Sequence, residues 1–175
     1  MSADLRYPIG PWQRPAGPVT PEWRANHIRD IAELPAQIRA AVAGLSDAQL
    51  DTPYRPGGWS LRQVVHHVAD SHANGFIRQK LALTEANPTV KPYDEERWAE
   101  LPDAQLPIEV SLRMLDAIHE RWAALLMALP AERFAAPYQH PQSGPQTLDT
   151  SLSTYSWHGR HHVAHITGLR KRNGW

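Results

Sequence analysis

The 175-residue sequence contains no cysteine. This absence excludes disulfide bonds, thiolate ligands for a metal ion and a cysteine nucleophile, and it fits a protein of a reducing compartment. Covalent catalysis by a thiol of the protein itself is therefore excluded. We accordingly expect a cytoplasmic protein.

Long apolar runs and an excess of one charge are also missing. No stretch of about 18 apolar residues is present, and no signal-peptide pattern opens the chain, so we expect neither a membrane span nor export. Lys plus Arg and Asp plus Glu both number 18, which gives a net charge of zero. This balance predicts no nucleic-acid partner and no membrane partner, and the basic residues 170–172 are typical of a helix C-terminus.

The composition, 42% hydrophobic and 21% charged, predicts one domain over residues 1–175. Sixteen prolines concentrate in residues 8–21, 88–107 and 130–145, where they mark loops. Residues 1–19 have too many prolines for regular structure but enough aromatic residues, as in YPIGPW, for contact with the rest of the domain. We expect this segment to pack on a helical bundle.

Four segments between the loops have apolar residues at spacings of three and four, with almost no alternation of period two. These patterns predict an all-α four-helix bundle with a long loop, about residues 86–106, between the second and third helices. A loop of this length is often functional or contains a short helix. The predicted helices run from Pro21 to about Gly44 with a kink at Pro35, from Ser60 to about Leu83, from Pro107 to Leu129, and from Thr147 to about Arg172.

The predicted fourth helix carries two HxxxH pairs in the segment YSWHGRHHVAHI. Residues four apart lie on one helix face, so such a pair can bind a single metal ion. His162 and His158 lie about 40° and 80° from the centre of the apolar stripe, and His161 and His165 about 140° and 100° from it. The inward pair is the better candidate, although both residues also fit hydrogen-bonded core positions. His161 and Trp157 are predicted at the surface or an interface.

A histidine from another helix would complete a three-ligand site with one open position, as in catalytic zinc centres. In the second helix His72 lies near the centre of the apolar stripe, whereas His67 and His66 lie about 120° and 140° from it. Helical phase would nominate His72. A histidine on an apolar stripe is more often a hydrogen-bonded core residue, however, and His119 in the third helix has the same ambiguity. Helical geometry leaves the third ligand open.

The segments TPYRPGGWSLRQVVHHVADSH, KLALTE, KPYDEERW and YSWHGRHHVAHI, with the opening YPIG, together resemble the YfiT-type branch of the DinB superfamily. The resemblance covers nearly the whole chain. It implies a four-helix bundle that binds one divalent ion, Zn²⁺ or Ni²⁺, through one histidine of the second helix and an HxxxH pair of the last. Carried onto this sequence, these ligands are His67, His158 and His162.

Three neutral imidazoles leave the full charge on the ion, so a bound water has its pKa lowered toward about 7 and a bound thiol is deprotonated. The resemblance to bacillithiol S-transferases implies transfer of sulfur from a low-molecular-weight thiol to an electrophilic substrate. A chain without cysteine suits this reaction, because no protein thiol competes with the cosubstrate. The alternatives are a metal-dependent hydrolase and a non-catalytic metal-binding bundle, whose fourth ligand would be His72, His161 or His165.

The family resemblance and the seven tryptophans also predict a homodimer, with Trp157 as a candidate interface residue. For other polar residues a role in the site is less strongly indicated, because a solvated surface or a helix cap also explains them. Candidates to bind a charged cosubstrate are Arg160, Asp94 and Glu95. Candidates to orient the ligating rings are Asp70, Ser71, Asn74 and Asp149.

Overall fold

The computed structural model describes residues 4–175, and its four long helices form the predicted bundle. The loop between the second and third long helices contains a short helix, as expected, followed by a 3₁₀ turn at Pro102–Gln105. Another short helix, which the sequence did not predict, follows the first long one. The helices are α1 (Pro21–Val42), α2 (Asp47–Leu50), α3 (Leu61–Thr84), α4 (Glu95–Trp98), α5 (Glu109–Ala128) and α6 (Leu148–Asn173).

Side-chain caps explain where the long helices begin. Thr20 accepts a hydrogen bond from the backbone of Trp23 at the start of α1, and Ser60 and Gln63 form a reciprocal capping box at the start of α3. Helix α6 ends at Gly174, which adopts a left-handed conformation with φ 69°. Helix α1 continues without interruption through Pro35, whose side chain is buried in the core.

A β-hairpin precedes α6, in a region that the prolines marked as a loop. Its antiparallel strands are β1 (Pro137–His140) and β2 (Gly144–Thr147). Each strand has only four residues and contains a proline, so no period-two pattern indicated it. The long loop runs beside β1, where Gln139 donates to the carbonyl of Pro88 and accepts from the backbone of Val90. The hairpin therefore holds this loop beside the bundle.

The core contains two apolar clusters and a buried polar network. One cluster includes Val64, Val65 and Leu115, and the other surrounds Trp122. The indole of Trp122 donates to Gln79 on α3 over 2.8 Å, and Gln79 donates in turn to Ser151 on α6 over 3.0 Å. These bonds satisfy polar groups that would be costly to bury unpaired, and they connect three of the long helices.

The N-terminal segment, residues 4–19, has no helix or strand and contacts α6. The indoles of Trp157 and Trp12 donate to the carbonyl of Gly10 and the hydroxyl of Ser153, over 3.1 and 3.2 Å. His161 lies under this segment near Tyr7 and is only 7% exposed. The prediction that His161 lies at the surface or an interface was therefore wrong, because helical phase took no account of a chain segment outside the bundle.

Within residues 4–175, no helix combines the length and the apolarity that crossing a lipid bilayer requires.

Candidate metal centre

Helices α3 and α6 bring together the three histidines that the resemblance nominated. The Nε2 atom of His158 lies 3.2 Å from Nε2 of His67 and 3.2 Å from Nε2 of His162. One ring nitrogen of each residue lies within 4.8 Å of those of the other two. A tetrahedral Zn²⁺ about 2.0–2.1 Å from each nitrogen would hold its ligand nitrogens about 3.3 Å apart. The spacing thus matches that of one metal ion.

Hydrogen bonds among these three histidines, called the trio below, cannot satisfy their ring nitrogens. An imidazole nitrogen carries either one hydrogen or one lone pair, so Nε2 of His158 can form only one good hydrogen bond with its two neighbours. A cation between the three rings would use all three lone pairs at once. The donor set therefore fits a divalent ion.

Burial keeps the three rings in the neutral form that binds metals. It lowers the pKa of His67 to about 4, with a smaller contribution from His161. Burial, followed by the effect of the neighbouring histidines, places the pKa values of His158 and His162 well below their usual range. All three rings are therefore neutral at pH 7, each with one ring hydrogen and one lone pair.

The ring orientation of His162 is set by a chain of hydrogen bonds. Its Nδ1 lies 3.3 Å from Nδ1 of His165, and Nε2 of His165 lies 3.3 Å from the carbonyl oxygen of Arg6. A carbonyl oxygen only accepts, so His165 carries its hydrogen on Nε2 and accepts at Nδ1 from His162. This arrangement leaves a lone pair on Nε2 of His162, facing the trio.

His72 holds the equivalent place behind His158. Its Nε2 lies 3.1 Å from Nδ1 of His158, so a His158 that binds metal through Nε2 donates its remaining hydrogen to His72. His72 is fully buried and stacks on His119, which contacts the carbonyl of Ile31 through Nδ1. His72, which helical phase favoured as a ligand, thus lies behind one of the three histidines that the resemblance nominated.

His67 and His66 show why helical phase was a poor guide on α3. His67 is partly exposed at the edge of the helix, where its ring packs against Trp59 at 4.5 Å between centroids. It therefore faces the space between elements instead of the apolar core. The buried His66 binds the hydroxyl of Ser111 and the carbonyl of Leu106, which is a structural role.

The three histidines border an open cleft of about 310 Å³. Its other walls come from α3, the long loop and the hairpin, so one side of the trio faces space in which a substrate can bind. A larger apolar groove of about 500 Å³, between α1 and the end of α5, has no histidine or carboxylate in its lining. The cleft is lined, besides the trio, by Trp59, Ser71, Arg78, Pro92, Tyr93, Glu95, His140 and Gln142.

Of the polar residues singled out in the sequence, only Glu95 and Ser71 line this cleft. Asp94 caps α4, Arg160 pairs with Asp30, and Asp149 pairs with Arg24. Two other candidates lie on α3. Asn74 donates to the carbonyl of Asp70, and Asp70 borders a smaller pocket beside His67, where burial raises its pKa to about 6.

Arg78 and His140 are among the cleft residues that sequence reasoning missed. Arg78 lies about three helical turns beyond His67, so it shares a helix face with that histidine. This spacing was a usable signal. His140 belongs to the unpredicted hairpin, and no local pattern connected it with the histidines of the helices.

Proteins with similar sequences match this chain over nearly its full length. A relative from Bacillus cereus is 55% identical over 98% of this chain and 99% of its own. A relative from Bacillus thuringiensis subsp. konkukian is 54% identical over the same shares. Both are named, provisionally, metal-dependent hydrolases.

The solved structure of YfiT from Bacillus subtilis is 46% identical, with a TM-score of 0.94 over 98% of both chains. It too is described provisionally, as a metal-dependent hydrolase with an unusual four-helix bundle topology. The sequence model of the DinB superfamily matches residues 30–166. This chain therefore belongs to the DinB superfamily.

Proposed function

We propose that this protein is a metal-dependent S-transferase, which joins a low-molecular-weight thiol through its sulfur to an electrophilic substrate. One divalent ion, Zn²⁺ or Ni²⁺, would be held by His67, His158 and His162. The observation that carries the proposal is the convergence of three neutral ring nitrogens beside an open cleft. When bound there, the ion supplies the Lewis acidity that makes a thiol or a water nucleophilic at neutral pH.

The residues around the trio have distinct tasks in this scheme. His72 and His165 accept the outer hydrogens of His158 and His162, which keeps the ligand lone pairs directed at one point. Trp59 covers one side of His67 and limits access by water. Tyr93, whose pKa is raised mainly by burial, stays a protonated hydroxyl in the cleft wall.

Hydrolysis is the second candidate, and two observations favour it. The relatives from Bacillus carry names that indicate a metal-dependent hydrolase. Glu95 lines the cleft, where a carboxylate can act as a general base toward water. Thiol transfer is preferred because the chain has no cysteine that would compete with a thiol cosubstrate.

A non-catalytic metal-binding bundle would require a fourth protein ligand, as structural zinc sites usually have. Among residues 4–175, the metal-binding group around α3 and α6 has three members. The nearby nitrogens of His72 and His165 contact the outer nitrogens of the ligands and do not face the centre of the trio. These contacts favour an open coordination position.

We also propose a homodimer in the cytoplasm, where small thiols are kept reduced. The support is the family resemblance and the incomplete burial of six of the seven tryptophans, Trp122 being the exception. Trp98 on α4 is 39% exposed. Sedimentation at micromolar concentration should give the mass of two chains, and a monomer would reject the dimer.

Product analysis separates transfer from hydrolysis. Metal-loaded protein is incubated with an activated chloronitrobenzene, with and without a panel of small thiols, and the products are weighed by mass spectrometry. Transfer predicts a thioether that forms only with thiol, at a rate above that of apoprotein and of His158→Ala. Turnover to the water adduct without thiol, with no acceleration by any thiol, would reverse the ranking.

A further inference from the structure

Arg78 is an unusual cation in the cleft, because its partners are all uncharged. Its guanidinium donates to the carbonyl of Lys91 over 2.9 Å and contacts the hydroxyl of Tyr155 at 3.5 Å. Its Nε is buried and has no hydrogen-bond partner among the residues described. The ion pairs formed within residues 4–175 do not include Arg78.

This arrangement leaves one buried N–H of the guanidinium without a hydrogen bond in the described part of the chain. A guanidinium is charged at every physiological pH, and a partly buried charge without a counterion or a full set of hydrogen bonds is destabilising. Glu95 lines the same cleft but does not pair with it. A ligand that brings its own anionic group would remove this cost on binding.

A second donor lies in the same cleft wall. Nδ1 of His140 accepts hydrogen bonds from the backbone N–H groups of Gln142 and Ser143, both at 3.3 Å. The neutral ring therefore carries its hydrogen on Nε2, where it is free to donate. Burial and the charge of Arg78 lower the pKa of His140, which favours this neutral form.

We propose that Arg78 and His140 form a subsite that binds a carboxylate of the thiol cosubstrate. One cation and one neutral donor match a single negative charge, and Glu95 in the same cleft opposes a more highly charged group. The inference rests on the proposed function and names the chemical class of the cosubstrate, a thiol that also carries a carboxylate.

The separation of His67 and Arg78 along α3 indicates how long a cosubstrate must be to contact both the metal site and Arg78. About three turns of α3 separate the Cα atoms of His67 and Arg78 by roughly 16 Å. A long side chain on a helix leans toward the N-terminus, so the guanidinium reaches back toward the trio. The sulfur and the carboxylate of the cosubstrate should therefore lie on the order of 10 Å apart.

Matched thiols test the subsite without turnover. Binding of mercaptooctanoic acid and mercaptooctanol, each with a terminal thiol, is measured on cobalt-loaded protein through the sulfur-to-cobalt absorption. The acid should bind about tenfold more tightly than the alcohol, as expected for one charge-assisted contact. Mercaptopropionic acid, which is too short to reach Arg78, should show no advantage over mercaptopropanol.

Two variants separate recognition from structural support. In Arg78→Met the preference for the long acid should fall from about tenfold to about one, while Arg113→Met, an exposed cation on α5, should keep it. If Arg78 only fixes the loop at Lys91, the variant will weaken both long thiols equally and keep their ratio. That result, or equal binding of acid and alcohol by the wild type, would overturn the subsite and leave thiol transfer standing.

Failure of every thiol to bind would overturn thiol transfer instead, and the subsite would then be judged with octanoate. NMR of protein labelled with ¹⁵N should show the Nε–H signal of Arg78 shifting on titration with octanoate and not with octanol. An unshifted signal would overturn the carboxylate subsite.

Discussion

Helix α6 carries two HxxxH pairs that share spacing and residue type but differ in what their helix faces meet. His158 and His162 meet His67 of α3 beside the cleft, with ring nitrogens close enough to share one ion. His161 and His165 lie under the N-terminal segment, where they contact Tyr7 and the carbonyl of Arg6. Ligand spacing is therefore necessary but not sufficient, because the elements that pack on each face decide which pair can bind metal.

The largest expected effect comes from removing a member of the inner pair, which consists of His158 and His162. His158→Ala or His162→Ala should abolish stoichiometric metal binding, because two imidazoles hold an ion far less tightly than three. His161→Ala, in the outer pair, should keep about one ion per chain. Metal analysis after dialysis checks the three variants, and full occupancy in both inner variants would remove the distinction between the pairs.

Acid should destabilise the metal-free protein through its buried histidines. Burial lowers the pKa of His67, His119, His161 and His165 to about 4, below the unfolded value of about 6.5. The unfolded chain therefore binds more protons than the folded one between these values, and the free energy of unfolding should fall as the pH drops from 6.5 toward 4. Above about pH 8 these groups are neutral in both states and contribute no pH dependence.

Urea denaturation at several pH values measures this slope. At pH 7 the apoprotein should keep its helical circular dichroism after chelation, because the two apolar clusters do not depend on metal. A free energy of unfolding that stays constant from pH 7 to 4.5 would contradict the neutral, buried state of the histidines.

A smaller effect is expected when the hydrogen-bond acceptor behind His158 is removed. His72→Phe keeps a ring in the core but deletes the acceptor for Nδ1 of His158, so metal affinity should fall by about 10–100-fold without loss of the site. His72→Gln, which retains an acceptor, should recover part of this affinity. Chelator competition gives the affinities, and an unchanged affinity in His72→Phe would show that the contact does not orient His158.

The smallest expected effect comes from adding a methyl group at a glycine on each of two faces of α6. A Cβ at Gly159 would lie 2.7 Å from the buried Leu34 of α1, whereas one at Gly168 would meet only the end of Arg172, at 3.4 Å. Gly159→Ala should destabilise the protein by about 1–3 kcal/mol through overpacking. Gly168→Ala should be neutral or stabilise it by up to about 1 kcal/mol. Equal effects in thermal unfolding would contradict the close packing of α6 on α1.

Local sequence signals account for most of the bundle. Caps at Thr20 and Ser60 and the glycine after α6 marked helix ends, and apolar spacing marked the buried faces. The hairpin was missed because its strands are too short to show a pattern. The burial of His161 was missed because a distant segment, residues 4–19, covers that face of α6.

The residues of the candidate site also differ in whether a local sequence pattern predicts them. The pair His158 and His162 followed from spacing and phase within one helix. His67 needed the family resemblance, because its position at a helix edge becomes meaningful only when α3 packs beside α6. Arg78 and His140 depend on how the long loop and the hairpin close the cleft, which is tertiary information that no local pattern contains.

X-ray absorption of the zinc-loaded protein, with and without a small thiol, tests the central claim most directly. Three histidine ligands with one open position predict a first coordination sphere of nitrogen and oxygen at about 2.0–2.1 Å. Addition of thiol should replace one light ligand by sulfur at about 2.3 Å. Four histidine ligands in wild-type protein, unchanged by thiol, would contradict both the open position and the proposed chemistry.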